Sequence, residues 1–235
     1  MVMAEPNPGD GAQAAALSPL APRSLVELQA ALAVGQRRFV GLNLGDLDGG
    51  DLDLSGCDLR EGCFQEARFG HARLTNAVVE GCGFQQALLW GADLSGLRAR
   101  ASFWQEADLS GSRLQGADFS GAQLHRACLR GVVASASVWH GARLVEADFR
   151  SGLDQLTDLG RAAFNGADLS FAQFQGANLQ EASLRDCSLY GANFSAANLK
   201  GADLRGCDLR HSQLAGARLE GASLAGARLP EAGLG

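Results

Sequence analysis

From Leu44 to Leu234 a bulky apolar residue stands at every fifth position, and that spacing limits what the chain can fold into. Of these 39 positions, all but Gly49, Ala99, Ala134 and Asp154 hold Leu, Phe, Trp or Val. A second series two residues earlier, from Leu42 to Ala232, holds 23 Ala and 4 Cys. A period of five fits neither a helix, at 3.6 residues, nor a flat strand, at 2. It fits a short extended side followed by a corner. The small and large residues of each unit are two apart and point the same way off an extended backbone. The residue between them, commonly Asp, Asn, Arg or Gln, points out. Gly recurs two residues past the large one, as at Gly176, Gly191, Gly201, Gly206, Gly216 and Gly221, where a tight turn calls for φ > 0. A small residue beside each Leu or Phe leaves room for it, and a large residue at both places overpacks the interior. Leu97 with Ala99 reads as the one place where large and small are exchanged.

The N-terminal part differs. Residues 1–22 carry four of the 5 prolines and no periodicity, and are expected to be a disordered tail. Ser24 with Glu27 makes a capping-box pattern, Leu25, Leu28 and Leu32 share a helical face, and Gly35 is a stop. Residues 23–37 are therefore expected to form a helix that caps the open end of the repeats. Residues 38–235 are the repeat region.

The unit Ala-Asp/Asn-Leu-x-x, as in "GADLRGCDLR" (201–210), resembles the pentapeptide-repeat family. That resemblance implies an all-β solenoid, a right-handed quadrilateral β-helix with twenty residues per coil. Here it means about ten coils stacked ~4.8 Å apart behind an N-terminal capping helix.

The search for chemistry excludes more than it finds. A net charge of −6 gives no basic footprint for nucleic acid, and no run of 18 apolar residues spans a bilayer. The N-terminus lacks the basic and apolar regions of a secretory signal, which points to the cytoplasm. Six cysteines without a CxxC pair suggest neither zinc nor a redox motif. Cys57, Cys82, Cys187 and Cys207 fall on the small inward series as reduced core residues, whereas Cys63 and Cys128 point outward. Asp58, Asp93, Asp108, Asp118, Asp148, Asp168, Asp203 and Asp208 fall on the outward position as a solvated polar face. His71, His125, His140 and His211 are outward and too scattered to hold a metal. No phosphate loop, nucleophile elbow or dinucleotide fingerprint appears. Neither a cofactor nor an active site is expected, and the chain does not read as an enzyme.

Breaks in a repeat are where it can differ from its relatives. Folded at twenty residues per coil, Ala134 and Asp154 lie above one another, making "VVASA" (132–136) and "GLDQL" (152–156) adjacent irregular sides. A lone carboxylate inside an apolar coil is too costly, so residues 151–158 are expected to interrupt the solenoid as a loop, with Leu153 or Leu156 tucked back. The same folding sets outward Leu88 and Trp90 on one side with Phe171 and Tyr190. Exposed aromatics on a polar rod are candidate anchors for a partner. The candidate interaction residues are Leu88, Trp90, Leu153, Asp154, Gln155, Leu156, Asp158, Phe171 and Tyr190.

"LLWGADLSG" (88–96), "ADFRSGLDQLTDLG" (147–160) and "GADLSFA" (166–172) resemble the HetL-like cyanobacterial members of the family, which suppress heterocyst differentiation. The resemblance implies a non-enzymatic regulator that binds regulatory proteins, with no nucleic acid, membrane or small-molecule partner. The alternative within the family is a DNA mimic that inhibits gyrase. Residues 46–68 are acidic, but the last coils mix Lys200, Arg205, Arg210, Arg218 and Arg228 with acids, a poor copy of evenly charged DNA.

Overall fold

In the computed structural model, residues 21–152 and 154–231 are described; the expected tail at residues 1–22 lies outside them except for Ala21 and Pro22. The chain is a β-solenoid. Parallel bridges link Arg38 to Asp58, Asn43 to Cys63, Asp48 to Arg68 and Asp53 to Arg73, and the series continues at a step of twenty residues. Every coil thus has four bridged sides, each centred on the outward residue of one unit. Side one contains Asp58, side two Cys63, side three Arg68 and side four Arg73.

The backbone explains why the unit has five residues. In the side centred on Arg68, the N–H of Phe69 donates to Leu88 O in the next coil and that of Arg68 to Leu47 O in the previous one. At the corner His71 N–H donates to Trp90 O, and Ala72 N–H closes the turn on Phe69 O. The second corner residue is left-handed, φ near +60°, whether it is glycine, as at Gly91 (φ 66), or not, as at Glu106 (φ 58) and Phe171 (φ 60). Non-glycines there carry a local strain that the ladder on both sides overcomes. The outward aspartates assist the corner: an Oδ1 accepts the N–H two residues on, Asp53 from Ser55 and Asp118 from Ser120 at 3.0 Å. The polar face is therefore part of the turn as well as solvated.

The inward pairs fill the coil without gaps. Ala, Cys, Leu, Phe and Trp of both series are buried from Cys57 to Leu209. Large residues of successive coils stack into ladders: Phe64 on Phe84 at 5.0 Å and Phe84 on Trp104 at 4.1 Å, then Phe119 on Trp139 at 4.5 Å, then Phe149 on Phe174 at 4.9 Å and Phe174 on Phe194 at 4.8 Å. These separations follow from the coil spacing. Burial pushes two of the inward thiols up, Cys57 to about 11 and Cys82 to about 12.

Two exchanges of large and small have one cause. Leu97-Arg98-Ala99 precedes Ser102-Phe103-Trp104, and Val132-Val133-Ala134 precedes Ser137-Val138-Trp139. Each indole needs more room than a Phe, and the side before it supplies that room by placing Ala at its large position. Each indole N–H donates to the serine two residues earlier, Trp104 to Ser102 at 2.6 Å and Trp139 to Ser137 at 2.7 Å. Those hydroxyls donate onward to the carbonyls of Ala99 and Ala134. The Leu97–Ala99 exchange is thus not unique, and "VVASA" is a regular side with both inward residues buried rather than a break.

The first coil is covered by helix α1, Leu25–Ala33. Ser24 Oγ accepts Glu27 N–H at 3.2 Å, and the Glu27 carboxylate accepts Arg23 N–H at 2.8 Å. Gly35 (φ 87) ends it, with Gln36 N–H on Ala31 O and Gly35 N–H on Leu32 O. Leu28 is buried in the solenoid core, and Leu25 and Leu32 pack against it.

The tryptophan–alanine coupling is testable. Ala134→Leu is expected to destabilise the protein by about 1–3 kcal/mol by overpacking. In a Trp139→Leu background the same change should cost far less, and chemical denaturation of the four proteins in the cycle measures the difference.

Candidate functional site

The loop changes the map that the twenty-residue folding predicts. Val133 pairs with Asp158, Val138 with Ala163 and Asp148 with Gln173, a step of twenty-five. The ladder skips one whole unit here, and Asp154, Gln155 and Leu156 lie off the wall. Ala134 therefore lies under Leu159, its N–H on Asp158 O, and not under Asp154. Asp154 and Gln155 are exposed, in keeping with the cost of burying a carboxylate. Leu156 is 69% exposed and is not tucked back, and Leu153 lies outside the described residues. The neck of the loop is held by two hydroxyls. Thr157, at a small inward position, donates to Arg150 O at 2.9 Å and accepts Gly131 N–H at 2.8 Å. Ser151 Oγ donates to Gly176 O at 2.9 Å.

The lifted unit shifts every later residue by one side, which separates the aromatics that the sequence placed together. Trp90 sits at the corner after side three, whereas Phe171 and Tyr190 sit at the corner before it. The expected common side is therefore wrong: the two groups flank side three. Phe171, 48% exposed, meets Tyr190 edge-on at 5.6 Å, and Tyr190 meets His211 at 4.9 Å. Leu88, 37% exposed, is on side three next to Trp90. Asp158 is engaged in the wall, its Oδ1 accepting Gly160 N–H at 3.0 Å and Asn178 Nδ2 at 2.8 Å.

Trp90 and the loop do come together, on the same corner of the solenoid. They close the ends of a groove of about 720 Å³ lined by Trp90, Asp108, Ser110, Cys128, Arg130, Asp154 and Gln155. Its floor is Gly91, Gly111 and Gly131, three left-handed corner residues in successive coils. A Cβ on Gly131 would meet Gln155 O at 3.3 Å, so the floor is bare where the loop crosses it. Trp90 is 46% exposed. Its ring lies over Gly70, where a Cβ would stand 2.8 Å from it, with His71 edge-on at 4.4 Å. Cys128, outward in the sequence, is half-buried here, and burial pushes its thiol up. The glycine floor, Asp108 and Arg130 were not among the expected interaction residues, because glycines and single charges at corners recur throughout the repeats. The available signal was the run Gly91, Gly111, Gly131 at a spacing of twenty.

Several arginines along the wall are paired with carboxylates. Arg60, Arg150, Arg205 and Arg210 each bind the aspartate two residues earlier. Arg210 holds the Asp208 carboxyl down at about 2, and Ser55 with Arg73 hold Asp53 at about 2, against an ordinary 3.8. Among the described residues no cluster of three or more His, Cys, Asp or Glu could hold a metal ion, and no helix is long and apolar enough to cross a membrane.

The twenty-residue coil, the buried small/large pair and the left-handed corner are matched in known proteins. The model described as "Pentapeptide repeat region" matches residues 157–234, and that described as "Pentapeptide repeats (8 copies)" matches residues 53–91 and 92–133. The chain belongs to the pentapeptide-repeat family. Neither match crosses the loop. The crystal structure of HetL, a pentapeptide-repeat protein involved in heterocyst differentiation regulation from the cyanobacterium Nostoc sp. strain PCC 7120, is similar at 30% identity. The likeness covers 89% of this chain and 98% of HetL, with a TM-score of 0.59. A trypsin-treated form of QnrB1, a plasmid-mediated fluoroquinolone resistance protein, matches at 22% identity over 83% of each chain, with a TM-score of 0.42. No curated protein sequence matches significantly.

Deleting residues 152–156 joins Ala-Asp-Phe-Arg-Ser to Thr-Asp-Leu-Gly-Arg in unbroken register. That variant is expected to fold with a melting temperature within a few degrees of wild type, measured by circular dichroism. The depressed carboxylates Asp53 and Asp208 contribute stability that is full above 3.8 and lost as pH falls through about 2. Thermal midpoints should therefore drop between about pH 4 and pH 2, and Arg210→Gln should reduce that drop.

Proposed function

We propose that the protein is a non-enzymatic, HetL-like regulator that acts in the cytoplasm by binding another protein. A right-handed quadrilateral β-helix serves as its rigid frame, and the partner docks at the corner between Trp90 and the 151–156 loop. The observation that carries this reading is the groove itself. At this corner one exposed tryptophan faces one lifted loop across a floor of three glycines. An aromatic anchor on a rigid, bare shelf is the usual basis of a protein-binding hot spot. The shallow groove suits a segment of a macromolecule, and no convergent nucleophile, base or metal set lines it. The 30% identity to HetL over most of both chains supports the regulatory part of the reading.

The acidic early coils favour a second reading, a DNA mimic that inhibits gyrase. Against it, Asp58, Asp118, Asp148, Asp203 and Asp208 are each bound by arginine, which breaks up the row of unpaired negative charge that a duplex presents.

The test is affinity capture from an extract of the source cells with three baits: wild type, Trp90→Ala and the 152–156 deletion. A protein retained at least ~10-fold better by wild type supports the reading. Equal capture by all three sinks it, and inhibition of gyrase supercoiling at stoichiometric protein would replace it with the mimic.

A further inference from the structure

We infer that the groove receives a lysine or arginine side chain from an extended segment of the partner, seated between the Trp90 ring and the Asp108 carboxylate. The inference rests on the protein-docking reading above and gives that partner its chemistry.

The pattern of ion pairs along the wall leads to it. Apart from the bridged residue twenty positions away, which is Arg38 for Asp58 and Arg73 for Asp53 but Leu88 and Cys128 at Asp108, an outward aspartate is met by arginine from two places: the corner residue two positions later, and the corner residue eighteen positions earlier in the previous coil. Asp58, Asp148, Asp203 and Asp208 use the first place, through Arg60, Arg150, Arg205 and Arg210. Asp118, Asp148 and Asp203 use the second, through Arg100, Arg130 and Arg185. At Asp108 those two places hold Ser110 and Trp90. Its Oδ1 accepts Ser110 N–H at 2.9 Å, and among the described residues no cation pairs with it. Trp90 thus stands where the wall elsewhere puts an arginine. A cation supplied from outside would complete the pair and meet the π face of the indole, an arrangement that favours Arg or Lys.

The rest of the groove suits the same occupant. The carbonyls of Gly91 and Gly111 accept no backbone N–H and remain free for a guanidinium, an ammonium or a peptide N–H. Asp154 adds negative charge at the loop end. Arg130, the cation among the lining residues, leans away from Asp108 towards Asp148, 3.9 Å from it. From Trp90 to the point where Gln155 crosses Gly131 is roughly two coil spacings, about 10 Å, the length of three extended residues.

The probes are immobilised pentapeptide pools of Gly and Ser with a fixed central arginine, and matched pools with citrulline or glutamate there. At low salt the wild-type protein is expected to prefer the arginine pool over the citrulline pool by at least ~5-fold. Asp108→Asn and Trp90→Ala should each abolish the preference. Asp168→Asn, which removes another carboxylate without an ion pair, away from the groove, should keep it. Circular dichroism confirms that each variant is folded. No binding of the arginine pool, equal binding of arginine and citrulline, or a preference that survives Asp108→Asn overturns the inference. The captured partner separates the two levels: loss with Trp90→Ala but not with Asp108→Asn rejects the cation and leaves the docking site standing. Indifference to both rejects both.

Discussion

Everything in this molecule depends on the left-handed corner that recurs every five residues. It turns the chain with the inward pair always on the same side, and it sets the N–H of each corner against a carbonyl of the next coil. That is why coils stack in register without long strands: each side contributes a single bridged residue, and the order comes from repetition. The strain of a left-handed non-glycine, as at Phe171, persists because ladders on both sides hold the corner in place. The same stacking makes every departure local. A residue that does not fit affects its own coil and the two beside it.

The solenoid accommodates bulk by compensation between neighbouring sides. A tryptophan inside a coil is matched by alanine on the side before it and by a serine for the indole N–H, and this set of substitutions occurs twice, at Trp104 and Trp139. Viewed one unit at a time, Leu97–Ala99 and Val132–Ala134 are anomalies. Viewed coil by coil, they are the condition for two inward indoles in an interior with no spare volume.

The loop follows the same logic with an opposite outcome. Where Asp154 could not be compensated inside, a whole unit left the wall, and Thr157 and Ser151 closed the gap with hydroxyls on free backbone groups. Removing a whole unit keeps the small/large alternation intact on both sides of the break. It also rotates the later sequence by one side of the solenoid, which gives each side its particular mix of residues. The corner that holds Trp90 with Asp154 and Gln155 is where that unit leaves the wall, and the rotation moves Phe171 and Tyr190, neighbours in either register, to the corner before side three.

The sequence by itself determined the period, the inward pair, the corner with positive φ, the capped helix Leu25–Ala33 and the expulsion of Asp154, because each depends on residues within one or two units of each other. It also placed Trp90 on the outside, from its phase in the repeat alone. Only the tertiary structure decided which side each later residue occupies, since that depends on whether a unit is counted in the wall or lifted from it. The glycine floor, the uncompensated Asp108 and the orientation of Arg130 are relations between residues about twenty apart, which emerge once coils are stacked and side chains are placed.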